Sequence, residues 1–308
     1  MEESFKTICA AGEGGGMEIN MKNNDFHCAY SQQSTIPKDI SPISGYDFLQ
    51  CNTLWEPMAQ LSEKIRLHNN SSICRLPFDH TIEGEAMGGQ VLYDDELRSS
   101  RAGKHICTRL EEIINLPCMD FSSGRLHQVL LACNSLKAMG RHVCLEISGP
   151  FTILDALVDV KQLFMALRKN IVLIETVLQK IGTELIKYIE EAQLCGVDII
   201  SYADPSVGVD IIGPKYAKLI NDIFTCNFIE TAASVLRENS MLLLCPRITY
   251  ELLESEKIIF NDYILPSYMK YEDACIEMLG KAKISGNTCI KNTALHIYSQ
   301  TFREIIFV

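Results

Sequence analysis

The sequence lacks the features that mark membrane, secreted and nucleic-acid-binding proteins. No apolar run reaches the roughly 18 residues that a membrane-spanning helix needs. The N-terminus has no basic segment followed by an apolar one, so we expect no secretory signal. Basic residues are in deficit, with 28 Lys and Arg against 39 Asp and Glu and a net charge of −11. That balance argues against binding to nucleic acid or to an anionic membrane surface. We therefore expect a cytoplasmic protein.

The cysteines lack any pairing pattern. There are 13 of them, an odd number, and no C-x-x-C motif occurs. Several lie inside apolar runs, including Cys133, Cys144 and Cys195. We expect reduced, buried thiols rather than a disulfide framework.

Hydrophobic residues, by contrast, are present in the ordinary proportion, 47% of 308 residues, enough for a large core. Short apolar segments alternate with segments of helical spacing such as residues 55–68 and 123–139. The predicted strands are 39–46 (a first strand or an entry loop), 73–78, 142–147, 197–202, 241–245, 257–264, 282–285 and 304–308. About eight strands alternating with helices indicate an α/β fold, a (β/α)8 barrel over residues 39–308. No G-x-G-x-x-G follows the first strand, which disfavours an open doubly wound sheet. Residues 1–38, polar and Gly-rich, are predicted to be an irregular N-terminal extension.

Ionisable residues follow two of the predicted strands at the point where each strand ends. Asp79, His80 and Glu83 come after strand 73–78, and Asp204 comes after strand 197–202. In a βα-barrel, polar residues at the C-terminal strand ends face the active-site mouth. Asp79 or His80 is therefore a candidate general acid. The alternative for all four residues is loop hydrogen bonding or helix capping.

Three stretches together resemble one family. They are PFDHTIEGEAMGG at 77–89, SGPFTILDAL at 148–157 and GVDIISYADPSVGVDIIGPKYAKLI at 196–220. All three are similar to motifs of the uroporphyrinogen decarboxylase superfamily, closest to its cobamide-dependent methyltransferase branch. The resemblance covers roughly residues 40 to 308 in order. The R-Q-A-G-R-Y motif of the true decarboxylases is absent, so we do not expect haem-pathway decarboxylation.

The resemblance implies a barrel enzyme that moves a methyl group between a methylcobamide, carried on a corrinoid-binding protein, and a thiol or related small molecule. Methyltransferases of this branch hold zinc with H-x-C on one strand and a distant Cys. In MLLLCPRIT, Cys245 matches the Cys, whereas Leu243 occupies the His position and cannot bind metal. Cys289, in GNTC, is the candidate for the distant Cys. Zinc needs three or four ligands, and His80 or Glu83 is a candidate for the third. The alternative for both cysteines is a buried, inert thiol.

Two residues are candidates for binding the substrate. Arg247 follows a strand end closely and is suited to clamp a carboxylate, sulfonate or phosphate, and a surface ion pair is the alternative. Tyr202 lies at the end of the strand before Asp204.

We expect the predicted site residues to line one cavity at the C-terminal face of the barrel: Asp79, Glu83, Asp204, Cys245 and Cys289. Loops 77–89 and 205–214 are expected to form part of a docking rim for the corrinoid protein. Two rival functions stay open. One is a metal-free lyase that uses Asp79, His80 and Asp204 as acid–base groups. The other is a degenerate barrel that serves as a binding subunit.

Overall fold

The described part of the protein comprises residues 26–28, 36–94, 98–204, 209–292, 295–297 and 299–308 of a computed structural model. Most of the predicted N-terminal extension, residues 1–25 and 29–35, lies outside it. The strands are β1 (Ile73–Leu76), β2 (Val91–Asp94), β3 (Ser99–Ala102), β4 (His142–Ser148), β5 (Ile199–Ala203), β6 (Met241–Leu244), β7 (Ile258–Ile264), β8 (Met269–Lys270), β9 (Ile284–Ser285), β10 (His296–Ile297) and β11 (Thr301–Phe307).

The helices alternate with these strands along most of the chain. They are α1 (Phe48–Thr53), α2 (Trp55–His68), α3 (Ile82–Ala86), a 3-10 helix (Leu110–Asn115), α4 (Gly124–Ala138), α5 (Pro150–Leu157), α6 (Val160–Lys169), α7 (Ile171–Leu194), α8 (Val209–Ile212), α9 (Pro214–Ile220), a π-helix (Asn221–Thr225), α10 (Cys226–Val235), α11 (Pro246–Glu254) and α12 (Tyr271–Glu277). The helices predicted over 55–68 and 123–139 are confirmed within one residue at each end.

The centre of the fold is a five-stranded parallel sheet with the order β1-β4-β5-β6-β9. Its strands match five of the apolar segments that the sequence predicts. Six of the seven residues of β4 are buried, as expected for a parallel strand covered on both faces. Parallel pairing brings the C-terminal ends of all five strands to one edge of the sheet.

The two faces of this sheet pack against different parts of the chain. Alternate residues belong to two clusters, because successive side chains in a strand point to opposite faces. Leu145, Ile147 and Tyr202 belong to the main cluster with helices such as α4, α7 and α10. Cys144 and Leu243 face the other way, toward a smaller cluster. We call this second side the inner face, and α12 and β11 cover it with Tyr271, Cys275 and Phe302.

The structure differs from the prediction at three of the predicted strands. The segments predicted at 257–264 and 304–308 are strands, but they form β7 and β11, an antiparallel pair outside the parallel sheet. Apolar content alone does not specify the partner of a strand, and β7 has mostly partly exposed residues, unlike a central parallel strand. Residues 39–46 form no strand and lead into α1. Within the described ranges, five parallel strands therefore pair in one sheet, and they do not close a ring of eight.

No helix among the described residues has both the length and the apolar character needed to cross a bilayer.

Candidate functional site

Glu83 is a buried carboxyl group at the C-terminal edge of the sheet. It lies in the first turn of α3, and only 1% of its surface is exposed. The backbone N–H of Ser148, at the end of β4, donates to Oε1 at 2.9 Å. Oε2 has no hydrogen-bond partner among the residues that the structure describes. Burial raises the pKa of Glu83 to about 7. Glu83 therefore gains and loses its proton near neutral pH, and its Oε2 has no partner within the described residues.

His80 contacts Ser148, as Glu83 does, and it also contacts a largely buried charge network. Lys291 Nζ is 3.1 Å from His80 Nε2 and 2.8 Å from Glu146 Oε2. Arg75 Nη1 lies 3.3 Å from the other Glu146 oxygen. Burial, reinforced by the Lys291 charge, lowers the pKa of His80, so the ring is neutral at ordinary pH. An ammonium group only donates, so Nε2 accepts from Lys291 and Nδ1 carries the proton toward Ser148 Oγ, 3.5 Å away.

Glu146 is the anionic member of this network. Burial by itself would raise its pKa, but the charges of Lys291 and Arg75 outweigh burial and lower the pKa of Glu146. Its side chain and that of Arg75 come from neighbouring strands, β4 and β1, on the inner face of the sheet. The network thus places an ionised carboxylate and two cations around a neutral His80, which shares Ser148 with Glu83.

Asp79 faces a different set of partners. It forms a buried ion pair with Arg125 of α4, and it accepts from the backbone N–H and the hydroxyl of Thr81 at 3.0 and 2.8 Å. Arg125 Nη1 also lies 3.2 Å from Glu85. Burial would raise the pKa of Asp79, but Arg125 and Thr81 lower it. Asp79 is therefore ionised, and its oxygens are engaged in holding α3 and α4 to the end of β1.

Asp204 caps helix α5. Its carboxylate accepts from the backbone N–H groups of Phe151 and Thr152 at 2.9 and 2.8 Å and from the Thr152 hydroxyl at 2.7 Å. The approach needs glycine at position 149, because a Cβ there would lie 2.4 Å from the Asp204 Cβ. Burial raises the pKa of Asp204 to about 6. Asp204 therefore has the helix-capping role that the sequence left open as an alternative.

Tyr202 and Asp204 line a cleft between helices on the outer side of the sheet. The cleft also contacts Glu251 of α11 and Asn221 of the π-helix. Tyr202 is buried, and its ring centroid is 5.1 Å from that of Phe228 in α10. Tyr202 therefore faces the helices rather than the inner face that carries Glu146.

Cys245 directly follows β6, and Cys28 together with burial raises the pKa of its thiol. Cys289 lies close enough to influence its titration. Leu243, at the expected His position, is buried in the inner-face cluster. Arg247 begins α11 with its side chain largely buried. Across the described residues, no three or more His, Cys, Asp or Glu side chains are arranged to hold a metal ion.

The structure places every predicted site residue at or just beyond the C-terminal edge of the sheet. The recorded contacts of these residues are with different neighbours. Asp79 pairs with Arg125, Glu83 contacts Ser148, Asp204 caps α5, and Cys28 raises the pKa of the Cys245 thiol. Sequence reasoning missed Glu146, Ser148, Lys291, Arg125 and Cys28. Only Glu146 carried a signal, as a charged residue inside the apolar strand HVCLEIS.

Comparison with known proteins decides the family. The model of the uroporphyrinogen decarboxylase (URO-D) family matches residues 29–224, more than half of the chain. The chain belongs to the uroporphyrinogen decarboxylase family. The resemblance seen in the sequence is thereby confirmed.

The three URO-D motifs are joined by hydrogen bonds in this family member. Glu83, from the first motif, accepts from Ser148 of the second. Asp204, from the third, accepts from Phe151 and Thr152 of the second. The matched region ends at residue 224, before Cys245, Cys289 and Lys291.

Among solved structures, this URO-D protein is similar to a methyltransferase from Methanosarcina mazei. The two share 22% sequence identity with a TM-score of 0.57, over 71% of this chain and 68% of that one. Family and fold likeness together confirm the α/β class and the TIM-barrel fold, of which the described residues show five paired parallel strands. A search of curated proteins found no match.

Proposed function

We propose that the protein is an enzyme that transfers a methyl group between a corrinoid carried by a partner protein and a thiol or related small molecule. The observation that carries the proposal is Glu83, a buried acid with a pKa of about 7 and an available oxygen at the C-terminal edge of the sheet. Membership of the URO-D family and the fold likeness to a methyltransferase support it.

Glu83 is suited to moving the proton that methyl transfer requires. A thiol acceptor must lose its proton to become nucleophilic, and a methyl donor must gain one on its leaving atom. A group whose pKa lies near the working pH serves both directions. Glu83 Oε2 is the atom that exchanges the proton. Ser148 fixes the other oxygen through its backbone N–H.

His80 and Lys291 belong to the charge network that reaches Ser148, the residue that contacts Glu83. His80 is neutral and adds no charge to this network. Two cations, Lys291 and Arg75, face one anion, Glu146. The excess positive charge favours an anionic group on a substrate. A thiol that carries a carboxylate or sulfonate fits this balance.

Zinc is the metal that the family resemblance implies, and Cys245 and Cys289 are the residues proposed to hold it. The donors do not fit a metal ion as the chain arranges them, since Leu243 replaces a ligand and no group of three donors surrounds one point within the described ranges. We therefore derive no step of the reaction through zinc.

The corrinoid partner would dock where the loops follow the strand ends. Residues 77–89 carry His80 and Glu83, and residues 209–214 follow Asp204; positions 205–208 of the predicted rim lie outside the described residues. Arg247 and Tyr202 remain predicted substrate contacts.

A direct test follows the absorbance of methylcobalamin, free or on a carrier protein, mixed with the purified protein and thiols that bear carboxylate or sulfonate groups. We expect demethylation that the Glu83→Gln change slows about 10²- to 10⁴-fold. Glu111→Gln removes an exposed carboxylate and should leave the rate unchanged. Zinc analysis of the same preparation checks the metal. Absence of demethylation with every thiol and carrier would contradict the proposal and favour a binding subunit.

A second candidate is a metal-free lyase. It is favoured by two ionisable groups that both contact Ser148, Glu83 and His80, and by Lys291 in contact with His80. This arrangement suits cleavage of an anionic substrate. Release of CO2 from carboxylated substrates, with no loss of methyl from cobalamin, would select it.

A further inference from the structure

The cleft that Tyr202 and Asp204 line lies on the outer side of the sheet, across from the inner face that carries Glu146. Its other walls come from α5, α9, the π-helix and α11. The cavity volume is about 20 Å³, whereas one water needs roughly 10–15 Å³. The cleft therefore has room for a molecule of about two or three heavy atoms.

Asn221 supplies the observation that points to a ligand. It opens the π-helix and lines the cleft, and only 5% of its surface is exposed. Its side-chain Nδ2 is buried and has no hydrogen-bond partner within the described ranges. Buried donors nearly always have a partner, and an exception calls for a bound molecule. Short π-helical turns are also frequent at functional sites. Asn221 therefore offers an N–H donor to an acceptor atom that enters the cleft.

Two carboxylates supply the acceptors at the same cleft. Asp204 is buried at the end of β5, and Glu251 comes from α11. Burial is the main cause that raises the pKa of Asp204, and the charge of Glu251 raises it further. Among the described residues that line the cleft, none is Lys, Arg or His. A ligand that carries a negative charge would be repelled here, so the acceptor atom of the ligand must be uncharged.

The rest of the lining is apolar. Phe151, Ile220 and Phe224 are buried and face the cleft, and the ring of Phe224 stacks on that of Phe228 at 5.3 Å. Carbon atoms of a ligand would lose contact with water against these side chains. A hydroxyl group both accepts and donates through a single oxygen, so one hydroxyl satisfies the amide donor and a carboxylate acceptor together.

We infer that this cleft binds a small neutral alcohol of one or two carbons. The hydroxyl oxygen accepts from Asn221 Nδ2, the hydroxyl proton is donated to Asp204 or Glu251, and the carbon atoms lie against Phe151 and Phe224. The site is separate from Glu83. The inference does not depend on the methyl-transfer proposal, because its test measures binding and no reaction.

The test is saturation-transfer NMR on the full-length protein, titrated with ethanol. We expect a saturable signal, and nuclear Overhauser effects from the ethanol methyl group to the ring protons of Phe151 or Phe224. Asn221→Leu removes the donor at similar volume and should weaken binding about tenfold. Asn227→Leu, the same change at an exposed position of α10, should leave the dissociation constant unchanged.

Three probes of similar size separate the alternatives. Acetonitrile only accepts, methylammonium only donates, and acetate is an anion, so each should bind more weakly than ethanol. Methylammonium binding without ethanol binding would show that the carboxylates alone define the site, and the inference would be wrong. A wild-type protein with no saturable ethanol signal, or with no contact to either ring, would show that the cleft holds only water. These wild-type measurements decide the matter even where Asn221→Leu folds poorly.

Discussion

Replacing Glu83 with glutamine should change how the stability of the protein depends on pH. The side chain is fully enclosed, and its pKa of about 7 lies well above the ordinary value of 4.5. The folded state therefore binds the proton more tightly than the unfolded state does. Its contribution to stability is complete below about pH 4.5 and is lost as the pH rises through about 7.

The size of this loss follows from the pKa. A tenfold change in proton affinity is worth about 1.4 kcal/mol, so moving the pKa of Glu83 from 4.5 to about 7 corresponds to about 3 kcal/mol. Glutamine mimics the protonated acid, since its carbonyl oxygen can still accept from the Ser148 N–H, and it cannot ionise. Any cost of the buried amide group is the same at every pH.

The assay is urea unfolding of wild type and Glu83→Gln at a series of pH values from about 4.5 to about 8. The free energy of unfolding of the variant minus that of the wild type should rise by about 3 kcal/mol across this range. The difference isolates Glu83, because other groups such as Asp204 titrate in both proteins. Glu111→Gln, at an exposed position of the 3-10 helix, supplies the control and should show a flat difference. If the difference for Glu83→Gln is flat as well, the pKa of Glu83 is not raised, and the proposed function loses its basis.

Two further changes test the surroundings of this acid. Arg125→Met leaves Asp79 buried without its partner and should lower the free energy of unfolding by about 3–5 kcal/mol. Arg109→Met breaks an exposed pair with Glu112 and should lower it far less, because solvent screens that pair. Equal losses in urea unfolding would contradict this account. Lys291→Met should raise the pKa of His80, because the Lys291 charge adds to burial in lowering it. The ring-proton NMR shifts of His80 measure that change, with Lys281→Met, a surface pair with Glu277, as control, and an unchanged His80 titration would contradict the proposed contact.

The local sequence determined the elements that have a strong pattern. Helix 55–68 has regularly spaced apolar residues and was predicted at its observed bounds. Segment 241–245 is a continuous apolar run, and segment 142–147 is mostly apolar with Glu146 inside it. Mostly apolar runs of this length are typical of strands buried on both faces. The order and spacing of the three motifs also indicated the family. Membership of that family confirms the barrel fold.

Local pattern did not determine which strands pair. The segment KIIFNDYI was predicted to join the barrel sheet, but as β7 it pairs antiparallel with β11. The partner of a strand depends on contacts between residues far apart in sequence, here more than 35 positions, and such contacts leave no trace in the composition of either segment.

The strand-end rule placed the predicted site residues correctly at one edge, because parallel strands end together. Their roles came only from tertiary contacts. Asp79 and Glu83 are close in sequence, yet Arg125 and Thr81 lower the pKa of the first, whereas burial raises the pKa of the second to about 7. The free energy of an ionised group depends on the charges and solvent around it, and the partners that set it, such as Arg125, Lys291 and Cys28, are brought there by the folded chain.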